Sequence, residues 1–132
     1  MDCKNTYLKP EIAFLLKQNR FDISKSRYLI NRQGAIVESN TELVNHYDHL
    51  ELAYNPNAEE VFEYFKARLI DIEINKVEDD KWEWILKFRT KTVYSGETVY
   101  GNVGANLPES RQYFKSEIEA YHDAIVELII VL

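Results

Sequence analysis

A chain of 132 residues, 45% hydrophobic and 29% charged, is long enough to close a single globular core over residues 1–132 without a metal or a disulfide framework, and Cys3 is its only cysteine. The formal charge of −6 argues against duplex DNA as a partner, because displacing counterions from phosphate demands clustered Lys and Arg. No apolar run follows Met1, and none approaches the ~20 residues that cross a bilayer, so the expectation is a cytoplasmic protein with no leader and no membrane contact.

Pro10 suits the first turn of a helix, where its missing N–H costs nothing. Ile12, Ala13, Leu15 and Leu16 make an inner face, and Asn19 can take the left-handed position that ends the helix. Phe14 points away from that face, and no second surface is evident to receive it. Arg27–Asn31 and Ala35–Glu38 are β-prone runs joined by Arg32-Gln33-Gly34. A three-residue loop with Gly in the left-handed region predicts a hairpin that pairs Ile30 with Ile36 and Leu29 with Val37. Residues 39–56 carry no clear period and read as a loop.

Asn57-x-x-Glu60 is a capping box, followed by a helical stripe of Ala58, Val61, Phe62, Phe65 and Leu69. Ile70, Ile72 and Ile74 alternate with Asp71, Glu73 and Asn75. Trp82, Trp84, Leu86 and Phe88 alternate with Glu83, Ile85, Lys87 and Arg89. An antiparallel pair turning at Glu78-Asp79-Asp80 sets Ile72 opposite Phe88 and Ile74 opposite Leu86 on a dry face. The same register sets Asp71 opposite Arg89 and Glu73 opposite Lys87 on a wet one. Thr92-Val93-Tyr94 continues the strand, Ser95-Gly96 turns it, and Thr98–Val103 is a further strand nearer an edge. Residues 102–111 read as loop.

Ser116-x-x-Glu119 opens the last helix. Ile118, Tyr121, Ile125, Leu128, Ile129 and Leu132 share one side, with Glu119, Asp123 and Glu127 opposite. Val126 and Ile130 fall among the acids, which points to a second buried surface or to a surface for another molecule.

Residues with catalytic potential are sparse. His46-x-x-His49, with Asp48 and Glu51 near, is the one metal-like cluster, and it lacks a distant third ligand. Glu78, Asp79 and Asp80 read as a solvated turn without the spacing of a calcium loop. His122-Asp123 reads as a surface pair rather than a dyad, since adjacent helical side chains diverge by about 100°. Cys3 sits in a segment expected to fray, which gives a nucleophile little support. No Gly-rich phosphate loop is present. Lys87, Arg89 and Lys91, with Tyr94 and Tyr100 near, could face a single-stranded nucleic acid, although the acids of the neighbouring strand offer those cations a plainer use. Trp82 and Trp84 share the parity of Leu86 and Phe88, which favours core over a stacking platform.

Ala13-x-x-Leu16-Lys17 ahead of Phe21-Asp22, the Tyr54–Arg68 segment and Tyr121-x-x-Ala124-Ile125-x-x-Leu128 resemble, as a layout, a group of small uncharacterised proteins encoded by phages and prophages of gut Bacteroidetes. Asn19 stands where such proteins often have Gly. The resemblance implies a mobile-element accessory protein and carries over no functional residue.

These readings converge on an α+β fold, with one antiparallel sheet of about four or five strands packed mainly on one face by three helices. They point to a non-enzymatic protein that needs no cofactor and binds a protein partner, a second copy or a small ligand through Val126 and Ile130. Two alternatives are a metal-dependent enzyme built on His46 and His49, and a single-strand binder built on Lys87, Arg89 and Lys91.

Overall fold

A computed structural model describes residues 3, 5–21, 28–38, 52–102 and 108–132. In chain order the elements are α1 (Pro10–Gln18), β1 (Tyr28–Asn31), β2 (Ile36–Glu38), β3 (Leu52–Tyr54), α2 (Ala58–Lys66), β4 (Ile70–Glu78), β5 (Lys81–Tyr94), β6 (Glu97–Asn102) and α3 (Glu117–Val131). The fold is α+β with three helices, as expected, but the strands form two three-stranded antiparallel sheets, ordered β2-β1-β3 and β4-β5-β6, instead of one larger sheet.

Helix α1 explains the division. It is apolar on two sides. Ile12 and Leu16 join the main core, while Ala13 and Phe14 pack with Ile30 and Ala53 of the small sheet. The small sheet is therefore the cover that Phe14 requires, and the Arg32 guanidinium lies 4.3 Å from the centre of the Phe14 ring. α1 ends through a motif that the sequence reading placed one residue early. Arg20, not Asn19, takes the left-handed conformation (φ 61°). The N–H of Phe21 bonds to Leu16 O and that of Arg20 to Lys17 O, both at 3.0 Å, while Asn19 Nδ2 bonds to Leu15 O.

In the first hairpin, Ile30 pairs with Ile36 and Leu29 with Val37, as expected. Gly34 is left-handed at φ 89°. Asn31 Oδ1 accepts from the N–H groups of Gln33 and Ala35 and so closes the loop. Leu52–Tyr54, read from the sequence as loop, is a strand on the other side of β1. Three residues are too few for a period to show, and cross-strand pairing decides their conformation.

The capping box of α2 is complete: Glu60 N–H donates to Asn57 Oδ1 at 2.8 Å, and Asn57 N–H donates to Glu60 Oε1 at 3.2 Å. The helix stops at Lys66, so Leu69 leaves the expected stripe and occupies a tight turn at φ 64°. The N-terminal segment is tied to this region, with Leu8 N–H bonded to Pro56 O and Ala58 N–H to Thr6 O.

β4 and β5 pair with Ile70 opposite Phe88, Ile72 opposite Leu86 and Ile74 opposite Trp84. The register is two residues from the expected one because a bulge between Lys76 and Glu78 absorbs a residue and the turn shrinks to Asp79-Asp80, with Asp80 at φ 61°. A shift of two preserves every face. The expected ion pairs survive on the diagonal, with Lys87 Nζ 2.6 Å from Glu73 and Arg89 against Asp71. β4 lies along one edge of β5. Along the other edge, beyond β6, the segment Pro108–Phe114 docks in place of the expected loop. Leu86 N–H bonds to Pro108 O, Ser110 N–H to Trp84 O, and Trp82 and Phe114 exchange two bonds of 2.8 Å.

α3 lies on the dry face of this sheet, with Tyr121, Ile125 and Leu128 fully buried. Tyr121 O–H donates to Ala58 O at 2.9 Å, and burial drives its phenol far above the ordinary range. α1 packs on the far side of α3. The layers thus run small sheet, α1, α3 with α2, large sheet.

Candidate functional site

The stripe of α3 alone would leave Glu119, His122, Asp123, Val126 and Ile130 outside the core. The structure brings the first four of these to a cleft of about 370 Å³ between α3 and the start of α1. Its apolar floor is Ile12, Phe114 and Val126. Lys9 and Glu11 stand on one rim, and Glu119 and Asp123 on the other. Three carboxylates thus face a single ammonium.

Each wall is held by its own local chemistry. The Lys9-Pro10 start of α1 leaves Ile12 one turn in and facing α3. Ser116 Oγ accepts from Glu119 N–H at 3.3 Å and so sets the first turn of α3. The Glu119 side chain does not return the bond among the described residues; it lines the cleft instead. Trp84 Nε1–H, rising from the large sheet, donates to Asp123 Oδ2 at 2.8 Å and fixes that carboxylate at the edge. Phe114 arrives on the segment paired with Trp82.

His122 corrects the sequence reading. It is not a surface residue: it is 7% exposed and wedged between α3 and Lys9. Its Nε2 accepts from the Lys9 backbone N–H at 3.4 Å, and its Nδ1 has no partner among the described residues. Burial, followed by the positive charge of Lys9, lowers its pKa to about 4 against the opposing pull of Glu11 and Glu119. The ring is therefore neutral at pH 7. Its signal in the sequence was Val126. Position 122 lies one helical turn before it, so the second buried surface implied at 126 extends to 122.

Val126 is half-buried on the cleft floor and packs against the main core. Ile130, one turn further, is 70% exposed. The two residues singled out from the sequence therefore form a continuous line that starts in the cleft and ends on the open surface.

The other candidates fare differently. His46 and His49 lie outside the described residues. Among the described residues, no group of three or more His, Cys, Asp or Glu is gathered to hold a metal. Lys87 and Arg89 are engaged by Glu73 and Asp71, and of the two exposed members of that row, Arg89 and Lys91, the first is thus already paired. Lys76 pairs with Asp79 and Lys81 with Glu78, as a solvated turn would. Trp84 is buried and Trp82 half-buried, both against the core. Cys3 does not fray. It is 8% exposed, its N–H bonds to Glu117 Oε1 at 3.0 Å, and burial with the nearby Glu117 pushes its thiol up to about 12. Such a thiol holds its proton and is a poor nucleophile.

No protein family, curated protein or solved structure matches this chain. Among the described residues, no helix is long and apolar enough to cross a membrane.

Proposed function

We propose that this is a non-enzymatic binding protein whose α1–α3 cleft receives a short segment of a protein partner that pairs a basic side chain with a large apolar one. The supporting observation is the make-up of the cleft: an apolar floor of Ile12, Phe114 and Val126 under a rim of three carboxylates and one lysine. A cationic side chain gains from that rim, and an apolar neighbour gains from the floor. The cleft's size suits one or two side chains. Ile130, exposed one turn beyond, extends the contact along α3. A cytoplasmic accessory role on a mobile element is consistent with this reading and rests on the sequence layout alone.

An array of tetrapeptides combining Lys or Arg with Leu or Phe tests it, with Gln-for-Lys peptides as controls. Basic-apolar peptides should be retained and the controls lost. Glu119→Lys, an exposed position, should abolish retention, Ile130→Asp should weaken it, and raised salt should weaken it further. Retention indifferent to Glu119→Lys, or none at low salt, refutes the reading.

A further inference from the structure

Beyond Arg89, whose N–H still bonds to Leu69 O, β5 leaves β4 behind and continues, among the described residues, with β6 alone as a two-stranded ribbon. A lone two-stranded ribbon is marginal in water, and it gains when further strands are added. The outer edge of β6 is thinly defended. It has no proline, no lysine and one charge, Glu97, at its start. Its six pairs with β5, from Arg89–Asn102 to Tyr94–Glu97, follow without a bulge. Among the described residues no strand lies beyond it.

The hydrogen-bond phase of that edge follows from β5. Trp82 and Leu86 donate toward the edge that β6 shares with Pro108–Phe114, whereas Arg89 donates to Leu69 on the β4 side. Even-numbered residues of β5 therefore face β6. Their partners Glu97, Val99 and Gly101 bond inward, which leaves the N–H and C=O groups of Thr98, Tyr100 and Asn102 directed outward.

We propose that a second copy of this chain fills the edge, β6 against β6 in antiparallel register about a twofold axis at Val99, joining two three-stranded sheets into one of six. Twofold symmetry about an axis normal to the sheet requires partners of equal parity, and this register satisfies it. Thr98 exchanges two main-chain bonds with Tyr100 of the second copy, and the converse pair repeats them. Val99 meets its own copy in the close, non-hydrogen-bonded site. Each Glu97 faces Gly101 of the second copy, so no like charges are opposed. Val99, 53% exposed here, gains its cover from this contact. The surface is independent of the α1–α3 cleft.

Sedimentation across a concentration series is the test. Wild type should show a dimer. Thr98→Pro removes only an outward N–H and should give a folded monomer. Val99→Lys and Val99→Glu should each be monomeric alone, and their equimolar mixture should recover the dimer, since position 99 meets itself only in this register. Circular dichroism reports whether each variant folds. A monomeric wild type, or a dimer unaffected by Thr98→Pro and both Val99 changes, overturns the proposal. A dimer lost in both Val99 variants but not restored on mixing overturns the register.

Discussion

The two halves of β5 share a strand and almost nothing else. From Lys81 to Phe88 the strand is bonded on both edges, and α3 covers one face, so that Trp84 and Leu86 are 3% and 0% exposed. From Thr90 to Tyr94 it has one strand neighbour among the described residues, β6, and Val93 is 67% exposed. Intrinsic preference favours the exposed half at least as much, since Thr90, Thr92, Val93 and Tyr94 are all strong strand formers. Propensity therefore explains why the chain is extended there, and helix cover explains where stability resides. Truncating one side chain in each half separates the two effects. Leu86→Ala should cost about 2–5 kcal/mol through lost burial and a residual cavity. Val93→Ala should stay within about 0.5 kcal/mol. Urea unfolding of both variants checks this, and comparable losses would mean that the ribbon is buried against something further.

The cover over the stable half is itself sensitive to protons. His122 faces Lys9 and Glu11 from α1, with Glu119 and Asp123 on its own helix. In the unfolded chain its imidazole titrates near 6.5, and in the fold near 4. Between those values the unfolded state binds more protons, so the unfolding free energy rises with pH across the window. The stability is present above about pH 6.5 and is lost as the pH falls toward 4. The full shift corresponds to on the order of 3 kcal/mol. Urea midpoints of wild type and His122→Gln at several pH values should converge as the medium is acidified. Parallel curves would show that the ring does not carry the dependence.

Much of this frame was legible because it is local. Asn57-x-x-Glu60 announces its helix, and the alternation in 70–74 and 82–88 assigns each side chain to its face even where the register is off by two. Substituting Asn57 with Ala should cost about 1 kcal/mol, measurable by thermal or urea unfolding, because the first-turn N–H of Glu60 loses its acceptor, Asn57 Oδ1. What failed to show was tertiary. Leu52–Tyr54 is a strand only because β1 lies beside it. Cys3 is buried because the N-terminal segment joins the main core, held there by the bond of its N–H to Glu117 of α3. His122 is buried only because α1 crosses there, and the sole trace of that crossing was Val126 standing off the stripe. Phe14 likewise left a clue, an apolar residue without a surface, whose answer was a second sheet.

At the junction of the two halves, the comparison turns on a small term. Arg89 is the first residue of β5 beyond β4's last pair, and it reaches back across that boundary to Asp71, which is only 14% exposed. The guanidinium itself is 39% exposed, so solvent screens much of the attraction. A double-mutant cycle of Arg89→Gln and Asp71→Asn should give a coupling of about 0.5 kcal/mol, shrinking as salt is raised. That value would mean the ribbon is tied to the body by its continuous backbone and the Arg89 N–H bond to Leu69 O, and hardly at all by charge. A coupling of several kcal/mol that salt leaves unchanged would instead make Asp71 a buried anchor and move the boundary of the stable half outward to Arg89.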